Sequence, residues 1–158
     1  MSPQAIFRAQ FVLSLVVGGL IARWYVWPRL AALPAREALI PLLFVHATRY
    51  VGLVFLVPSV VPPGVPDAFA KPAAYGDLLA ALLALLAIIA LRHHWPGALP
   101  LAWLFNLFGV ADLLYAVAQG IRFDVQLGAA YYIPIVAVPV LFITHAMIFL
   151  LLLRQRRS

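Results

Sequence analysis

Four residues can do chemistry in a setting that would normally exclude them. Arg49, Asp112, His46 and His145 each lie inside a long apolar run. An ionisable group at the centre of a bilayer costs about 2.5–3.5 kcal/mol on insertion scales, so each is a functional candidate. Guanidinium does not lose its proton, so Arg49, in Phe44-Val45-His46-Ala47-Thr48-Arg49-Tyr50, must be paired or hydrated. On an α-helix His46 and Tyr50 share its face. Asp112 is the expected partner, because it lies about four residues, or roughly 6 Å, outward of the centre of its own run. Asn106, Gly109, Ala116 and Gln119 recur at helical spacing on the Asp112 face. Gly109 and Ala116 would let another helix approach closely. Such a group can bind a small solute or anion at mid-membrane, or relay protons.

The depths of His46 and His145 differ by only about 5 Å, so they can face one another. Neutral imidazole ligates haem and metals and passes protons. On that reading the two are axial ligands of one haem b, with Arg49 against a propionate. The plainer reading of each is a hydrogen bond to a carbonyl or to Thr144. Asp77 follows a Pro and a Gly where the third helix is expected to begin, and reads as an N-cap. His93 and His94 follow Arg92 at a helix end and read as interfacial.

These residues need spans to hold them. The chain has 158 residues, of which 66% are apolar and only 10% charged, with mean hydropathy +1.04. Soluble domains run at about 45–50% apolar and about 25% charged, so a cytosolic enzyme and a disordered tail are excluded. Cysteine is absent, which excludes thiolate chemistry and disulfide staples. A spanning helix needs about 20 mainly apolar residues. Five segments qualify: 5–27, 38–58, 74–91, 98–119 and 129–153. The expectation is therefore an all-α polytopic bundle, residues 1–158 forming one integral-membrane domain with no soluble part. Prolines punctuate the connections at Pro28, Pro34, Pro58, Pro62, Pro63 and Pro66. Pro134 and Pro139 should kink or loosen the fifth helix. Ala80, Ala81, Ala84, Ala87 and Ala90 form a small-residue strip in the third, suited to close packing.

Arg8 precedes an apolar stretch, but no convincing small-x-small cleavage site follows. Trp24, Tyr25 and Trp27 follow instead, as an interfacial belt would, so the first segment reads as a retained span. Tyr131 and Tyr132 read as an outer belt. Five spans put the termini on opposite sides. Arg8, Lys71 and Arg122 fall on one side; Arg23, Arg29, Arg36, Arg92, Arg154, Arg156 and Arg157 fall on the other. The positive-inside rule then gives a multi-pass protein of the cell inner (plasma) membrane, N-terminus outside and C-terminus cytoplasmic. The bilayer is the expected partner, and the basic C-terminal run reads as meeting lipid headgroups rather than nucleic acid.

The leading functional expectation is a permease or channel whose path runs through His46, Arg49, Tyr50, Asn106, Asp112 and His145, on the second, fourth and fifth helices. With so few polar groups, such a path would suit a homo-oligomer. The alternatives are a haem b or quinone-interacting redox subunit, and a structural subunit of a larger membrane complex. An enzyme is less expected, and no catalytic or metal set is assigned. Tyr75-Gly76-Asp77 and Gly109-Val110-Ala111-Asp112 resemble the paired motifs of intramembrane aspartyl proteases. That chemistry needs two carboxyls sharing a proton, whereas Asp77 is expected at a helix end and Asp112 deeper.

Overall fold

A computed structural model describes residues 2–155; Met1 and the Arg156 and Arg157 of the charge count lie outside the described residues. The described chain is all-helical. It contains five helices long and apolar enough to cross a bilayer: Pro3–Ala31, Ala35–Leu56, Asp67–Arg92, Ala98–Arg122 and Gly128–Gln155. The third packs on the second and fourth, the second on the fifth, and the first and fourth on the fifth.

Local chemistry explains the ends. Ser2 caps the first helix by accepting from the Ala5 N–H at 3.2 Å, and Pro3 occupies the first helical position. Pro34 and Pro66 immediately precede the second and third helices. The third begins at Asp67, seven residues before the expected Ala74. Pro72 therefore lies inside the helix, where it costs one backbone hydrogen bond. Three features offset that loss. Asp67 complements the dipole of the first turn, Lys71 pairs with it at 2.6 Å, and Phe69, Ala70 and Ala73 are buried. Asp77 is thus a mid-helix residue and not an N-cap, which corrects the expectation.

Two helices leave α geometry in midcourse. The second continues as a 3₁₀ helix over Thr48–Leu56, nine residues in a form that rarely exceeds three or four. With three residues per turn, Arg49, Gly52 and Phe55 eclipse one another, and these three are the buried residues of the segment. The fifth contains a π-helical turn at Ile133–Ala137, directly before Pro139. A proline ring clashes with the carbonyl four residues back, here Ile135, and the widened turn relieves that clash. The first helix has the same device, a π turn at Ala22–Val26 ahead of Pro28.

Besides a small cluster of Leu113, Val138 and Leu141, the apolar interior forms two larger clusters. One lies at the end bearing Arg36, Arg92 and Arg154 and is built on Leu39, Leu43, Leu91, Phe105, Ile148 and Leu152. The other lies under the proline-rich connection and is built on Phe55, Phe69, Ala73, Ala74 and Ala130. Ala80, Ala81, Ala84, Ala87 and Ala90 are all buried, as a packing strip requires. A polar layer separates the two clusters.

Candidate functional site

Arg49 is at the centre of that layer, with its side chain 1% exposed. Its Nε donates to Asp77 Oδ1 at 2.7 Å and its Nη2 to Asp112 Oδ2 at 2.6 Å. Its Nη1 donates to the Gly109 carbonyl at 3.1 Å. The second, third and fourth helices are thereby tied through one guanidinium. Asp112 is where the sequence placed it, beside Arg49. Asp77 was not expected there, and the third helix joins the polar core that was assigned to the second, fourth and fifth.

The carboxylates fit because glycines make room. A Cβ built on Gly52 would lie 2.7 Å from the Asp77 Cβ, and one on Gly76 would lie 2.6 Å from the Asp112 Cγ. A Cβ on Gly109 would meet His145 Cε1 at 2.6 Å and Arg49 Nη1 at 3.2 Å. Asp77, Asp112 and His145 therefore each sit in the notch of a glycine on the preceding span. The charges do not balance: one guanidinium faces two ionisable carboxyls, and both ionised forms together leave one excess negative charge. Arg49 bridges the two carboxylates, each bonded to a different nitrogen of its guanidinium.

The histidines lie beside this cluster. Their rings are 4.0 Å apart between centroids and tilted by 43°. His46 Nε2 pairs with Thr144 Oγ1 at 2.9 Å, and His145 Nδ1 with Asn106 Oδ1 at 2.6 Å. Asn106 also donates to the His145 carbonyl at 3.3 Å, and Phe105 packs against both rings. His46 Nδ1 and His145 Nε2 are buried without a hydrogen-bond partner. A cavity of about 270 Å³ opens beside the cluster. Its walls include Val45, Arg49 and Gly52 of the second helix, Asp77 of the third, and Ile133 and Ala137 of the fifth.

Residues 6–153 match a family model described as Domain of unknown function (DUF8737). The chain belongs to the DUF8737 family. No curated protein and no solved structure matches it.

In this DUF8737 member the histidine pair does not fit a haem. Metal–nitrogen bonds of about 2 Å would hold two axial nitrogens about 4 Å apart across the iron, with the ring centroids farther apart still. Here the centroids themselves are 4.0 Å apart, and each ring has one nitrogen engaged by a neighbouring side chain. As the rings stand, no macrocycle fits between them, and the pair does not have the geometry of axial ligands.

Tyr50 is also corrected. It is 55% exposed and leaves the cluster, because residues adjacent in sequence do not share a helix face; the 3₁₀ period turns it about 120° from Arg49, against about 100° on an α-helix. On the fourth helix Asn106 and Gly109 are buried, while Ala116 and Gln119 are only half-buried and Gln119 bonds Tyr115. Tyr132 is exposed, and Tyr131 donates to Gln10 of the first helix at 2.5 Å. Asp77, Gly52 and Gly76 are the members that sequence reasoning missed. A glycine directly before Asp77 and another three residues after Arg49 were the available signals.

Proposed function

We propose that this protein is a small permease that moves protons through the Arg49 cluster. The observation that carries this reading is the charge imbalance in an apolar bundle: one buried guanidinium between two carboxylates. An excess charge in low dielectric is costly, and one bound proton or cation removes it. An anion is a poor cargo by the same argument. Arg49 already faces two acids and a carbonyl, so an anion would have to displace a carboxylate. His46 and His145 extend the polar layer by a second pair of proton-carrying groups. Two departures from α geometry at the same level supply the hinges a moving bundle needs. The distribution of the basic residues supports an inner-membrane protein with its N-terminus outside and its C-terminus in the cytoplasm.

The test is proton flux in vesicles carrying a pH-sensitive dye, driven by a potassium diffusion potential. The purified protein should conduct above protein-free vesicles, and Asp112→Asn should lower the flux at least about tenfold. Folded protein with flux equal to empty vesicles would instead favour a scaffold, in which the same ion pairs only fix helix register.

A further inference from the structure

We infer that the cavity between the second and fifth helices is a binding site for a small lipophilic amine, held as its ammonium form against Asp77. The inference deepens the permease reading and rests on it: the amine would be the solute that competes with the proton for the cluster's excess charge.

The location is the first argument. The cavity lies where both walls leave α geometry, the 3₁₀ segment on one side and the π turn on the other. A π turn inside an α-helix recurs at functional sites. Ile133 and Ala137 come from that turn, and Arg49 and Gly52 come from the 3₁₀ face.

The lining chooses the ligand. The walls are aliphatic apart from Thr48, Arg49 and Asp77. Thr48 Oγ1 already donates to the Val45 carbonyl at 2.7 Å. The Arg49 side chain is 1% exposed against 16% for Asp77, so the reachable charge is the carboxylate. Ion pairing to an Asp77 that already shares Arg49 with Asp112 completes the cluster's charge, whereas an anion would add to the excess. Val51, Ala137 and Val140 line the cavity and are also exposed on the outside of the bundle, Val51 by 52% and Val140 by 38%. A ligand therefore enters past apolar side chains, from the lipid side. At about 30 Å³ per water-sized group, a cavity of this size holds about nine non-hydrogen atoms. An aromatic or branched aliphatic primary amine meets all three conditions.

Equilibrium dialysis of radiolabelled 2-phenylethylamine against the full-length protein in detergent micelles tests this, with protein-free micelles as the blank. Saturable binding of one amine per chain is expected, with benzoate, which also has nine non-hydrogen atoms, binding at least about tenfold more weakly because the charge is reversed. Asp77→Asn should weaken amine binding by about tenfold or more. If that variant fails to fold, Ala137→Trp, which closes the exposed mouth and leaves the ion pairs intact, should abolish saturable binding. Amine and acid binding equally, or amine binding unchanged in Ala137→Trp, would overturn the site. Flux without amine binding would defeat this inference alone; amine binding without flux would defeat the permease reading alone.

Discussion

The carboxylate of Asp112 occupies the space that a side chain at Gly76 would need. The third and fourth helices meet there with backbone on one side and a carboxyl group on the other. Gly76→Ala should push Asp112 off Arg49, and breaking a buried pair in this way costs about 3 kcal/mol or more. Adding Asp112→Ala removes the obstructed group, so the double variant should be less unstable than the sum of the singles by about 1 kcal/mol or more. Thermal unfolding in detergent, followed by circular dichroism, measures the cycle. Strict additivity would mean that the two residues do not meet.

Among the described residues, Arg49 is the cation paired with both Asp77 and Asp112. Arg49→Met should therefore destabilise the bundle by about 3–5 kcal/mol, because two carboxylates lose their partner at once. Replacing Asp77 and Asp112 by Leu in the same chain should recover much of that loss, since apolar groups of similar volume can replace a buried ionic set. Proton flux should not recover. A triple variant as unstable as Arg49→Met alone would contradict the ion-pair geometry.

Hydropathy alone made the five spans legible, because a 20-residue apolar requirement leaves a chain this short few other solutions. The Arg49–Asp112 contact was legible from the cost of an unpaired guanidinium. Asp77 was not, since Pro72 reads as a helix stop until it is known that the helix already begins at Asp67. Tyr50 was misplaced because it directly follows Arg49, and neighbours in sequence diverge by about 100° on an α-helix and about 120° on a 3₁₀ helix, so neither period keeps them on one face. The Gly52, Gly76 and Gly109 notches depend on helix pairing, which spacing within one helix does not reveal.

The packing of His46 on His145 makes a spectroscopic prediction. Protein purified from haem-replete cells should show no haem absorption bands, either oxidised or reduced with dithionite. His46→Ala and His145→Ala should change stability, through the loss of the Thr144 and Asn106 hydrogen bonds, and should leave the visible spectrum unchanged. Sharp bands that vanish in either variant would require the rings to separate by several ångströms on binding.

The absence of cysteine makes the orientation testable with single introduced thiols. Ser59 lies in the connection after the second helix and Gly97 in the one before the fourth, and both are exposed. The two connections lie at opposite ends of the bundle, because one span separates them. Arg29, Arg36, Arg92 and Arg154 lie at the Gly97 end, and positive charge near span ends is retained in the cytoplasm. In intact cells a membrane-impermeant maleimide should therefore label Ser59→Cys and not Gly97→Cys, and lysis should make both reactive. The opposite pattern would place the N-terminus in the cytoplasm and turn the proposed proton path end for end. Neither substitution touches the Arg49 cluster, so the labelled proteins should keep their flux.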